Sequence, residues 1–167
     1  MSERYVDVPG GRLAVHDFGF GPAVVLLHAG IVDSWAWEPL TPFLLEAGYR
    51  VVAFDRRGVG GSTTDDVAFS NRADTIAVLD ALELHQAALV GNSIGGMVAL
   101  SAACRLRQQP IAGCRLEQVV LIDCAQRRLD DKRLAELDAG TSDSPHEEGG
   151  VAAAPPSSAS APLSESL

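Results

Sequence analysis

Residues Val90–Gly96 read VGNSIGG. The apolar run AALV (Ala87–Val90) leads into them, and MVALSAA (Met97–Ala103) follows. A short apolar run bounded by glycine reads as a buried strand, and the small-residue run behind it as a helix. Between the two, the chain must turn within a few residues around Ser93. Glycine at 91 and 95 removes the side chains that so sharp a turn would drive together.

Outward from this turn, strand and helix patterns alternate. Towards the N-terminus, RLAVHDFG (Arg12–Gly19) alternates and predicts a strand. AVVLLHA (Ala23–Ala29) and RVVAFD (Arg50–Asp55) are continuous apolar runs, as expected of strands buried on both faces. Between them, Thr41 as N-cap, Pro42 at the first helical position and Gly48 as the stop predict a helix. RRGVGGSTTDD (56–66) predicts a loop, and Ser70–Leu84 a helix with Ala73, Ile76, Leu79 and Leu82 on its apolar stripe. IGGMVALSAACRLRQQ (Ile94–Gln109) predicts the helix that follows Ser93, ended by Pro110, and LEQVVLID (Leu116–Asp123) predicts another strand. This alternation implies βαβ units, a mainly parallel sheet and helices on both faces. The leading strands have no helix between them, so an antiparallel edge is expected there.

The expected organisation is a core over 1–125, a polar surface helix or linker over 126–140, and a tail over 141–167. The tail, rich in Pro, Ser, Ala and Gly and without aromatics, is expected to be disordered, because it has little apolar area to offset ordering entropy.

Of the 167 residues, 47% are hydrophobic and 21% charged, a globular composition. The formal charge of −9 argues against nucleic acid and anionic membranes as partners. No apolar window reaches the length of a membrane span, and the N-terminus lacks the pattern of a secretion signal. A cytoplasmic location is expected. Cys104, Cys114 and Cys124 lie ten residues apart without a CxxC pair, which suits reduced thiols and lacks the usual zinc spacings. No metal and no cofactor are expected.

Three predicted loops share the carboxyl edge of the sheet, where open α/β sheets bind ligands. A phosphate-binding P-loop would need lysine then Ser or Thr after Gly96, but Met97 and Val98 stand there. A dinucleotide fingerprint begun at Gly58 and Gly60 fails at Thr63. G-N-S-I-G, by contrast, fits G-x-S-x-G, in which a strained strand-to-helix turn lifts a serine clear of the sheet. The N-terminus of the following helix turns free N–H groups towards that serine.

With these residues in view, the chain resembles the N-terminal half of the α/β-hydrolase fold. LLHAGIVDSWAW (Leu26–Trp37) is similar to that family's His-Gly segment, DRRGVGGS (Asp55–Ser62) to its D-x-R-G-x-G-x-S segment, and VGNSIGG to its nucleophile elbow. The resemblance implies a hydrolase of esters or similar small carbonyl substrates with Ser93 as nucleophile. It also implies an oxyanion hole built from the Ile94 N–H and an N–H near Gly30. Ala29 stands where many members have glycine, which leaves Gly30 or Ile31 as the second donor. His28 is expected to orient that loop, Asp55 and Arg57 to fix theirs, and His16 and His85 to lie at the surface or at strand ends. Trp35 and Trp37 are open between pocket lining and packing.

In this family the triad runs Ser, then Asp or Glu, then His, and nothing strand-like follows Asp123. Asp123 as acid and His146 as base preserve that order. The alternative expectation is a truncated, catalytically incompetent member. Val119–Ile122 would then form an open apolar edge prone to self-association.

Overall fold

The structure, a computed structural model, describes residues 2–124 apart from 66 and 112. The expected helix at 126–140, the tail at 141–167 and His146 lie outside the described residues. One sheet contains β1 (Ser2–Val8), β2 (Gly11–Phe18), β3 (Ala23–Leu27), β4 (Arg50–Phe54), β5 (Thr63–Thr64), β6 (Gln86–Asn92) and β7 (Arg115–Ile122). The helices are α1 (Thr41–Glu46), α2 (Asn71–Ala81) and α3 (Ile94–Gln108), with a 3-10 turn at Ser34–Trp37.

The strand order is β1-β2-β4-β3-β6-β7, with β5 pairing β2 off that path. β4, β3, β6 and β7 run parallel, whereas β1, β2 and β4 pair antiparallel. The antiparallel edge is therefore present, and it is larger than the sequence pattern suggests. β1 was not legible as a strand because only Val6 and Val8 of its described side chains are buried; its long pairing with β2 across the Gly10–Gly11 turn defines it. From β3 the chain moves to one side to make β4, then crosses to the other side to make β6. The loops after β3 and β6 consequently part at a topological switch point, which opens a crevice at the carboxyl edge.

The core has two layers. Val25 and Leu27 of β3 and Leu89 of β6 pack with Val78, Leu79, Val98 and Ala102 of α2 and α3. Val24 and Leu26 face the other way, against Trp37, Leu40 and Leu44. All five residues of β3 are buried, which is why its sequence is a continuous apolar run.

Three local expectations are corrected. Leu40, not Thr41, is the N-cap of α1, and the Thr41 hydroxyl instead donates to the Trp37 carbonyl at 3.0 Å. In α2 the predicted stripe begins on the wrong residue: Ala73 is exposed, while Asp74, Thr75, Val78 and Leu79 face inward. The reason is electrostatic, since Asp74 turns in to meet Arg57. His16, expected at the surface or at a strand end, is buried in the middle of β2, where its ring packs against Trp35 with centroids 5.0 Å apart.

Candidate active site

The elbow is built as its residue types require. β6 ends at Asn92, α3 begins at Ile94, and Ser93 between them has φ 54° and ψ −119°. That is a sterically costly conformation for a residue with a side chain. Ser93 is exposed. Its backbone is held from three sides. The Ser93 N–H donates to Ile122 O at 2.9 Å, the Gly96 N–H donates to Ser93 O at 3.0 Å, and the Cys124 thiol donates to the same carbonyl at 3.3 Å.

Each glycine here answers a different crowding. A Cβ on Gly91 would fall on the Gly95 carbonyl, the expected collision across the turn. A Cβ on Gly95 would instead strike the carbonyls of Leu27 and His28, so this glycine lets α3 approach the end of β3. A Cβ on Gly96 would strike Cys124 Sγ, a thiol beneath the elbow that sequence reasoning did not connect with it.

The loop after β3 faces the elbow. A Cβ on Gly30 would lie 3.6 Å from Ile94 Cγ2, so Gly30 and Ile94 are neighbours across the crevice. His28, buried at the root of this loop, accepts the Arg56 N–H at Nε2 (3.0 Å) and donates from Nδ1 to Ala29 O (2.7 Å). A ring that accepts at one nitrogen and donates at the other is neutral. Burial lowers its pKa, and the Arg56 charge adds to this, against the Ala29 hydrogen bond.

The third loop, after β4, clamps the loop after β3. Asp55 accepts the Ser34 N–H at Oδ1 and the Gly61 N–H at Oδ2, both at 2.8 Å. The Ser62 hydroxyl donates to Asp55 O at 2.7 Å and accepts the Ala14 N–H at 2.8 Å. Gly60 has φ +52°, and a Cβ there would fall on the Asp55 carboxylate. Arg57 is bidentate to Asp74 at 2.7 and 2.8 Å and also donates to Pro9 O. The Asp74 contact raises the Arg57 pKa. Asp55 and Arg57 thus hold the loop as their sequence setting suggests, but the carboxylate that pairs with Arg57 lies seventeen residues downstream, where the helix stripe concealed it.

Ser93, Ile94 and Gly30 are brought together. Asp123 follows Ile122 at the neighbouring strand end, with φ 47°. Among the described residues neither the Ser93 hydroxyl nor the Asp123 carboxylate makes a hydrogen bond, and no group of three or more metal-ligating side chains occurs. His85 is exposed at the amino edge of the sheet, where it meets Gly113 O at 3.3 Å, far from this crevice. Trp37 is core, whereas Trp35 is 47% exposed. No helix among the described residues is long and apolar enough to cross a membrane.

The profile of the alpha/beta hydrolase family matches residues 24–164. The chain belongs to that family. This alpha/beta hydrolase is 44% identical over 89 residues to epoxide hydrolase B of Mycobacterium tuberculosis, covering 50% of this chain and 25% of that protein. It is 39% identical over 109 residues to 2-hydroxymuconate semialdehyde hydrolase of Pseudomonas sp., covering 61% and 38%. It superposes on an esterase from Exiguobacterium antarcticum with a TM-score of 0.62 and 29% identity, over 72% of this chain and 44% of the esterase. Against the curated relatives, this alpha/beta hydrolase spans between 20% and 48% of their length.

Proposed function

We propose that Ser93 is the nucleophile of a serine hydrolase that acts on an ester or similar small carbonyl substrate. The observation that carries this reading is the backbone of Ser93: an exposed serine at φ 54°, with α3 opening at the next residue. Packing alone does not call for so costly a conformation, whereas an attacking hydroxyl that must stand clear of the sheet does.

The Ser93 Oγ attacks the carbonyl carbon and loses its proton to a base. The tetrahedral oxyanion that forms is met by the Ile94 N–H, which as the first N–H of α3 has no acceptor within the helix. The Gly30 N–H, on the loop held by His28 and Asp55, is the second donor. Collapse expels the leaving group as its conjugate acid and leaves an acyl-enzyme, which water then hydrolyses. Asp123 is the orienting acid in this scheme and His146 the base. The hydrolase names of the relatives support the reaction type but span several substrates, so the substrate class rests on the serine.

A fluorophosphonate probe tests the nucleophile. We expect one label on Ser93 that is lost in Ser93→Ala; a folded protein that takes no label overturns the assignment. Turnover of p-nitrophenyl acetate tests the base, since an unchanged rate in His146→Ala removes His146 from the scheme.

A second reading, a non-catalytic member that acts by pairing with another chain, is supported by β7. This strand is outermost among the described residues, with Leu121 and Ile122 each 39% exposed. Apolar strand edges pair with other strands. Size-exclusion chromatography separates the cases: pairing makes the oligomer concentration-dependent, and a monomer at every concentration removes it.

A further inference from the structure

The peptide groups on either side of Ser93 are both tied to the end of β7. The Asn92–Ser93 peptide gives its N–H to Ile122 O at 2.9 Å. The Ser93–Ile94 peptide offers its carbonyl to the Cys124 thiol at 3.3 Å. The φ and ψ of Ser93 are the only soft rotations between these two planes. Fixing both planes therefore fixes the costly pair of angles, 54° and −119°. The Ser93 carbonyl also accepts the N–H groups of Gly96 and Met97, at 3.0 and 3.3 Å. Those donors belong to α3 and move with it. Among the described residues, the thiol is the donor that ties this carbonyl to a different element. Its seat is shaped for it. A Cβ on Gly96 would strike Cys124 Sγ and would lie 3.5 Å from Leu121 Cδ2, so the missing side chain leaves the notch that the sulfur fills. Cys124 is partly buried and in no disulfide.

We propose that Cys124 is a positioning residue of the Ser93 site, which rests on Ser93 being the nucleophile: by holding the Ser93 carbonyl, it aims the N–H of the same peptide, that of Ile94, at the developing oxyanion. A trans peptide is planar, with its C=O and N–H pointing in opposite directions. A donor that pins the oxygen thus sets where the hydrogen points. A hydrogen bond at the carbonyl also polarises the N–H beyond it. Cys124 acts through this peptide and touches no reacting atom.

The test compares three replacements in the full chain. Cys124→Ser keeps a donor, Cys124→Val fills the notch without one, and Cys124→Ala does neither. Turnover of p-nitrophenyl acetate is read with the Ser93→Ala rate subtracted. We expect kcat to fall about tenfold in both donor-free variants, less than the roughly 100-fold that follows loss of a whole oxyanion donor. KM should stay within about twofold throughout, and Cys124→Ser should hold kcat within about threefold, as expected of an interaction used in the transition state. A packing role alone would leave Cys124→Val like the parent. The carbonyl 13C resonance of Ser93 and the amide resonance of Ile94 report the contact without turnover. Both should shift in Cys124→Ala and Cys124→Val and stay in place in Cys114→Ala. A parent chain that neither hydrolyses the ester nor takes a fluorophosphonate label overturns the nucleophile and with it the catalytic role of Cys124, while the resonances still decide whether the thiol holds the peptide. With an active parent, the proposal fails if both donor-free variants keep their kcat, if Cys124→Ser falls as far as they do, or if the Ser93 carbonyl resonance does not move.

Discussion

The amide of Ser93 is hydrogen-bonded to the carbonyl of Ile122 at 2.9 Å, so the residue at the sharpest turn of the chain is anchored to the end of the neighbouring strand. This bond, together with the packing of α3, holds Ser93 at φ 54°. The conformational cost is met by the surrounding structure, which leads directly to the first prediction.

Ser93→Gly should raise stability by about 1 kcal/mol, because glycine occupies positive φ without the penalty of a side chain. Urea unfolding measures it. The same variant should take no fluorophosphonate label. A Ser93→Gly protein less stable than the parent would show that the turn is not strained.

Gly95→Ala should destabilise the fold by about 2 kcal/mol or more. The new methyl group meets the backbone carbonyls of Leu27 and His28, and backbone yields less readily than a flexible side chain. Gly30→Ala is the control. Its methyl would be only in ordinary contact with Ile94, so its cost should be much smaller in the same urea titration.

His28 makes stability depend on pH. Its folded pKa lies below the ordinary value of 6.5, chiefly through burial. Above pH 6.5 the ring is neutral in both states and folding is not penalised. As the pH falls below 6.5, the unfolded chain binds a proton that the folded site resists, and stability declines until the folded pKa is reached. Urea midpoints measured between pH 7.5 and 5 should fall. The decline should be shallower in His28→Gln, whose side chain carries an acceptor and a donor but does not titrate.

Arg57 and Asp74 form a buried bidentate pair, with side chains 2% and 4% exposed. Arg57→Met or Asp74→Leu alone should cost about 3–5 kcal/mol, since each strands a buried charge, and the double variant should cost clearly less than the sum. Arg57→Lys should recover only part of the loss, because an ammonium cannot reproduce the fork. A double-mutant cycle gives the coupling; additive losses would contradict the pairing.

The α/β class, the parallel strands and the elbow are legible from local sequence because each follows from short-range chemistry. A strand buried on both faces must be an apolar run, as in Ala23–Leu27, and a serine lifted at a tight turn needs a glycine before it, as at Gly91, where a Cβ would meet the Gly95 carbonyl across the turn. Tertiary structure alone decides the rest. The glycine requirement at 95 comes from β3, more than sixty residues away, and Asp74 turns inward for Arg57 against its own helix pattern. His16 is buried because Trp35 covers it, and β1 is a strand because β2 pairs with it. Gly30 meets Ile94 only because β3 and β6 lie side by side at the switch point. Periodicity and turn chemistry are properties of neighbours along the chain, whereas these contacts depend on which strands become neighbours in space.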